Sequence, residues 1–107
     1  MNVVKLFDWF LLPHAYLLVF EYVKHDLLSY MRSASNVLEK TQMRRLSYQI
    51  LRCIEYCHAN MFMPRDLKPR NILIDDGMIL KIADFGLARE FPASGSVYTH
   101  EVQTQWY

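Results

Sequence analysis

Arg65-Asp66-Leu67-Lys68-Pro69-Arg70-Asn71-Ile72-Leu73-Ile74-Asp75-Asp76-Gly77-Met78-Ile79-Leu80-Lys81-Ile82-Ala83-Asp84-Phe85-Gly86 decides how this chain folds. Ile72-Leu73-Ile74 and Ile79-Leu80-Lys81-Ile82 are short apolar runs flanking Asp75-Asp76-Gly77. Asp-Gly is a favoured tight-turn pair, so the stretch predicts a β-hairpin. Asn71 lies six residues before Gly77 and Asp84 seven after it. Antiparallel pairing then brings both to one open end, on strands about 5 Å apart. A carboxamide oxygen and a carboxylate converging there make a hard-oxygen site suited to Mg2+. Asp66 and Lys68 stand just upstream and reach the same end, adding a base candidate and a cation. For a hairpin taken alone, ordinary strand-end residues are the commoner explanation.

Working outward, Met43, Leu46, Ile50, Ile54, Cys57 and Met61 recur at steps of three and four. Arg44, Arg45, Gln49, Arg52 and Glu55 fall elsewhere, so the segment predicts an amphipathic helix. Thr41 is expected to cap its start and Asn60 to take the left-handed position near its end. Asp26 is the expected N-cap of a shorter helix through Leu27, Leu28 and Met31. Val3-Val4-Lys5-Leu6-Phe7 reads as a short strand and Tyr16 to Tyr22 as a second, buried one, with Pro13 and His14 in the turn. Phe91 to Tyr107 is rich in Ser, Thr and Tyr without clear periodicity, and reads as a long surface segment.

Composition excludes several classes. Twelve Lys and Arg against eleven Asp and Glu leave a formal net charge of +1, which disfavours generic nucleic-acid binding. Hydrophobic residues make up 52% of the chain, so it is built to pack. The longest apolar stretches, Trp9 to Leu12 and Ala15 to Phe20, are too short to span a bilayer. The N-terminus carries Lys5 and Asp8 and lacks a signal-peptide pattern, so no membrane association is expected. Cys53 and Cys57 are the only cysteines, too few for a disulfide framework or a thiolate zinc site. An intracellular, reduced protein is the expectation. With His58 these cysteines fall within one helical turn, where helix-face packing is the favoured reading over a metal site. His14, His25 and His100 have no partner visible in the sequence. Gly77, Gly86 and Gly95 are the only glycines, so the 107 residues hold neither a G-x-G-x-x-G loop nor a Walker A loop.

Arg65-Asp66-x-Lys68-x-x-Asn71 followed by Asp84-Phe85-Gly86 resembles the catalytic loop and metal-binding triplet of the protein kinases. The first pattern arises by chance in a chain this long on the order of once per thousand, and the second about once per hundred. Phe20-Glu21-Tyr22-Val23, Asp84-Phe85-Gly86-Leu87-Ala88-Arg89 and Tyr98-Thr99-His100-Glu101-Val102-x-Thr104-x-Trp106-Tyr107 narrow the resemblance to the cyclin-dependent kinases. A MAP kinase would have Tyr where Glu101 stands. The resemblance runs from Asn2 to Tyr107 and implies an α+β, protein-kinase-like fold that is partial. Residues 1–22 would be N-lobe strands and the start of the hinge, and 23–63 the first C-lobe helices. Residues 64–83 would hold the catalytic loop and hairpin, and 84–107 the activation segment.

The resemblance also implies roles. The protein would be a Ser/Thr kinase that uses ATP and Mg2+, works in the nucleus or cytoplasm, and meets a protein substrate, a cyclin and an activating kinase. Asp66 would accept or orient the proton of the attacking hydroxyl, and Lys68 would place positive charge on the transferred phosphoryl group. Asn71 and Asp84 would hold Mg2+. Glu21 and Val23 would contact adenine through backbone groups, and Phe20 and Leu73 by packing, although core packing alone would also explain the last two. Thr99 would be the activating phosphorylation site, with Arg65 and Arg89 in its phosphate pocket and the substrate platform near Val102 and Thr104.

Two departures from the family pattern carry expectations. Pro64 stands where His is usual, a residue that would pack against Phe85 and donate a backbone N–H that proline lacks, so Asp66 is expected to be less well aligned. Lys5 is expected to be a surface residue, because Asn2-Val3-Val4-Lys5-Leu6 matches the strand leading into the hinge. The isolated 107 residues are expected to be inactive by themselves. A non-catalytic kinase-derived fragment or pseudokinase-like binding module is the alternative.

Overall fold

A computed structural model describes residues 2–33 and 37–91. The hairpin of the quoted stretch forms its centre. Strands β5 (Ile72–Ile74) and β6 (Leu80–Ile82) pair antiparallel, with Ile72 opposite Ile82 and Ile74 opposite Leu80. Alternation along each strand sends Ile72, Ile74, Leu80 and Ile82 into the core, while Leu73 and Lys81 occupy the other face. The turn differs from expectation. Its left-handed residue is Met78 (φ 60°), and the Asp75 carboxylate shapes the loop by accepting the N–H groups of Gly77 and Ile79, each at 2.9 Å. An Asx-type turn thus replaces the tight Asp-Gly turn.

Strand β3 (His25–Asp26) adds to the outer edge of β5. On the other edge, Val3 bridges Ile82 in parallel. The Val4 N–H donates to the Ile82 carbonyl at 3.0 Å, and the Ile82 N–H to the Asn2 carbonyl at 2.8 Å. Val3 and Val4 therefore extend this sheet instead of opening the first hairpin. That hairpin is built from β1 (Leu6–Leu12) and β2 (Ala15–Phe20), with a bulge between Leu6 and Asp8, and turns at Pro13-His14 as expected. The expected burial of the second strand is corrected: every residue of β1 and β2 is exposed, Trp9 to 57%. Among the described residues no layer covers either face.

Helix α1 (Leu27–Arg32) starts at Asp26, whose carboxylate accepts the Ser29 N–H at 2.9 Å and the Ser29 hydroxyl at 2.6 Å. These bonds hold the Asp26 carboxyl below its usual range. Helix α2 (Lys40–Ala59) is the long amphipathic helix. Its cap is Glu39, not Thr41: the Glu39 N–H donates to the Gln42 side-chain oxygen at 2.9 Å, in a capping-box arrangement. At the far end Asn60 is not left-handed (φ −97°); Met61 takes that conformation (φ 58°), and the Asn60 side chain donates back to the Tyr56 carbonyl. The core-facing stripe is buried Leu46, Cys53 and Cys57 with half-buried Ile50, while Met43 and Met61 are exposed. Steps of four, three and four keep those four residues over the hairpin, whereas a stripe extended to both methionines overruns the sheet beneath it. No helix among the described residues is long and apolar enough to cross a membrane.

A side-chain seam closes α2 onto the sheet. The Gln49 amide donates to the Met78 carbonyl at 2.9 Å, and its oxygen accepts the Leu80 N–H at 2.9 Å and the Asn2 amide at 2.8 Å. After α2, β4 (Phe62–Met63) pairs with β7 (Arg89–Glu90), Phe62 opposite Glu90 and Met63 opposite Arg89. This pairing returns the segment after Asp84 to the end of α2.

Candidate active site

The loop between β4 and β5 folds on itself. Pro69 opens a 3₁₀ turn, Pro69–Asn71, in which the Asn71 N–H donates to the Lys68 carbonyl at 2.9 Å. This brings Lys68 Nζ to 2.6 Å from Asp66 Oδ2. The Asn71 side-chain amide donates to the Asp66 carbonyl at 3.0 Å and to Asp66 Oδ2 at 3.1 Å. Asp66 is buried, at 9% exposure, and a carboxylate so enclosed needs donors of this kind. Pro64, also buried, has not displaced Asp66 from its partners.

The hairpin register continues one step past β5 and β6, where the Ala83 N–H donates to the Asn71 carbonyl at 2.8 Å. Asp84 follows at once, so Asn71 and Asp84 lie at the same end of the hairpin. The backbone bends there: Asp84 has φ 61°, and its carboxylate accepts the Gly86 N–H at 3.2 Å. A Cβ on Gly86 would stand 3.2 Å from Asp84 Oδ1, so glycine leaves that oxygen room. Arg65 is left-handed too (φ 62°), and strain of this kind clusters at functional sites. The Asn71 amide nitrogen serves Asp66, which leaves the carboxamide oxygen to offer at the hairpin end that also bears Asp84. That donor set fits Mg2+.

A cavity of about 570 Å³ adjoins Asp84. Leu18, Phe20, Leu73 and Phe85 give it apolar walls, and Glu21 and Asp84 line it too. Its volume and character suit a flat aromatic group with a charged tail at the Asp84 end. Three of the four residues expected around adenine are there; Val23, half-buried, is not among the lining residues. Leu18 and Val4 line the cavity without having been singled out. Leu18 was legible, because it shares a strand face with Phe20 two residues on.

Glu21 is fixed from two sides. The Lys5 N–H donates to Glu21 Oε1 at 2.6 Å, and Lys81 Nζ donates to Oε2. The hydrogen bond from Lys81, then that from Lys5, holds the Glu21 carboxyl below its usual range. The Glu21 N–H donates to the Lys5 carbonyl at 2.9 Å. Lys5 itself is exposed, its ammonium 5.5 Å from the centre of the Phe7 ring.

Arg65 Nε donates to the Leu87 carbonyl at 2.8 Å. Arg89 sits opposite Met63, which precedes Arg65 by two residues in the chain. Thr99, Val102 and Thr104 lie outside the described residues. Cys53 and Cys57 are buried on α2; loss of hydration pushes the Cys53 thiol up to about 12 and raises Cys57 as well.

The whole chain, residues 1–107, matches the protein kinase domain. The chain belongs to the protein kinase family. It is 41% identical to Cyclin-dependent kinase 2 of Caenorhabditis elegans over 99% of its own length and 30% of that protein's. It is 42% identical to Cell division control protein 2 homolog 3 of Trypanosoma brucei brucei, over 99% of this chain and 34% of the relative. With Cyclin-dependent kinase 17 of Caenorhabditis elegans the identity is 45%, over 99% of this chain and 16% of the relative. The chain thus spans about a third, or less, of the curated relatives it matches. Protein kinases in general use ATP and Mg2+.

Proposed function

We propose that this chain is the catalytic-loop segment of a Ser/Thr protein kinase of the cyclin-dependent type, which moves the ATP γ-phosphate to Ser or Thr hydroxyls of proteins. One cluster carries the reading: the buried Asp66 with Lys68 and Asn71 bonded to its carboxylate, at the hairpin end that also bears Asp84. Asp66 orients the substrate hydroxyl and receives its proton. Lys68, 2.6 Å from that carboxylate, supplies a cation that meets charge on the transferred group. Asn71 and Asp84 hold Mg2+, which when bound neutralises phosphate charge. Phe20, Glu21, Leu73 and Val23 form the adenine end, Val23 through its backbone.

Thr99 is the regulatory phosphorylation site in this reading, and Arg65 and Arg89 are the guanidinium groups that would meet its phosphate; the pairing of Arg89 with Met63, two residues before Arg65, supports it. A cyclin and an activating kinase are the partners, a protein is the substrate, and the setting is intracellular, in the nucleus or cytoplasm. The 107 residues alone hold no glycine-rich phosphate loop, so activity is assigned to the protein that carries this segment.

The test is phosphate transfer from γ-labelled ATP to a Ser/Thr peptide by the full-length protein with its cyclin. Asp66→Asn should lower turnover by about 10²- to 10⁴-fold. Full activity of Asp66→Asn would overturn the reading, and so would wild-type protein that binds ATP without transferring phosphate.

A further inference from the structure

The Phe85 ring does not end in solvent. Its edge meets the Phe62 ring with centroids 5.7 Å apart and planes at 73°, the favourable edge-to-face geometry. Both rings are half-buried and pack against the same core. Phe62 is itself well held, because β4 pairs with β7 and lies against the end of α2.

Asp84, the neighbour of Phe85, has a left-handed backbone that persists only where its surroundings hold it. Upstream, the Ala83 N–H pins the chain to Asn71 at 2.8 Å. Downstream, Gly86 donates to the Asp84 carboxylate and Ala88 to the Phe85 carbonyl, and the Leu87 carbonyl accepts from Arg65 Nε at 2.8 Å. These bonds hold the backbone on either side of Phe85, while the Phe85 ring itself rests on Phe62. The Phe62 ring connects that turn to β4.

We propose that Phe62 is a positioning residue: its ring holds Phe85, and through it keeps the Asp84 carboxylate beside Asn71 for the metal that accompanies the nucleotide. The inference rests on the reading of Asn71 and Asp84 as Mg2+ ligands. It also gives Phe85 ring-on-ring support from residue 62, where Pro64 has no aromatic ring to offer.

The experiment uses the full-length protein and titrates a fluorescent ADP analogue with EDTA present, then with Mg2+. Phe62→Leu should leave the metal-free affinity within about twofold, yet lose about tenfold of the tightening that Mg2+ brings. Phe62→Tyr, which keeps the ring, should retain that tightening. In a Phe85→Leu background the Phe62→Leu change should add nothing further. Should Phe62→Leu fail to fold, Phe85→Leu must lose the Mg2+-dependent tightening, whatever its metal-free affinity. Tightening that survives in Phe62→Leu or in Phe85→Leu overturns the inference while leaving the metal reading intact. So does a Phe62→Tyr variant as damaged as Phe62→Leu. Wild-type protein whose affinity does not respond to Mg2+ overturns the metal reading and this inference together.

Discussion

Two hairpins in this molecule are built from nearly the same kind of sequence and end in opposite environments. β5–β6 is short, yet its four inward residues are buried beneath α2 and its edges are occupied by β3 and by residues 2–4. β1–β2 is longer and more apolar, yet Trp9, Phe10, Leu11 and Leu17 are exposed. Hydrophobicity makes both strand pairs; a second layer buries only one. Polar side chains mark the same divide. Gln49 and Asn2 close the seam over β6. On β1–β2 the side-chain hydrogen bond is local, from the Trp9 N–H to the Asp8 carboxylate.

The contrast can be broken at five places. The largest effect is expected from Leu80→Ala, which removes a side chain with 0% exposure and should cost about 2–5 kcal/mol in denaturant unfolding. Leu11→Ser on the outer hairpin of the 107-residue chain, 67% exposed, should cost within about 0.5 kcal/mol. Equal losses would erase the distinction. Gln49→Leu comes next. It strands the Leu80 N–H and the Met78 carbonyl, and the expected loss is about 1–3 kcal/mol, visible as faster amide exchange at Leu80.

A smaller, pH-dependent effect belongs to Glu21. Its carboxyl is held below the ordinary value of 4.5 by Lys81 and by the Lys5 N–H. The folded state therefore binds this proton less readily than the unfolded chain. Its stabilisation is complete above pH 4.5 and fades as pH falls through the lowered folded value. Melting temperatures should thus decline less steeply with acid in Glu21→Gln than in wild type; parallel curves would remove Glu21 from the account. Smallest of all is Lys24→Ala. The Lys24–Asp76 pair is 2.9 Å apart but 54% and 72% exposed, and its removal should not move the melting temperature measurably at physiological salt.

What the sequence disclosed follows the same divide. β5, β6 and α2 were legible because their periodicity is local and their burial follows from it. Asp66, Lys68, Asn71 and Asp84 were legible as a set because spacing across a hairpin fixes which residues share an end. Pairing of Val3 with Ile82 was not, since 79 residues separate them and nothing in Val3-Val4 distinguishes an edge strand from a hairpin arm. Glu39 outcompeted Thr41 as cap because the reciprocal bond with Gln42 depends on where the turn before it enters. The Phe62–Phe85 contact joins elements 23 residues apart and needs the β4–β7 pairing to exist first. Val23 matched by motif, but its distance from the cavity is a matter of where the chain turns after Glu21, which no residue type announces.

The two thiols on α2 offer a clock. Cys53 lies against the buried hairpin at 1% exposure, and its proton leaves only near pH 12. An alkylating reagent at neutral pH therefore meets neither an accessible sulfur nor a thiolate while the helix stays seated. Each modification event records one departure of α2 from the sheet that carries Asn71 and Asp84. Mass spectrometry of the labelled protein would count those departures as a rate. Ligands that steady the catalytic hairpin would slow the count, even though they bind on the face of the sheet away from either sulfur.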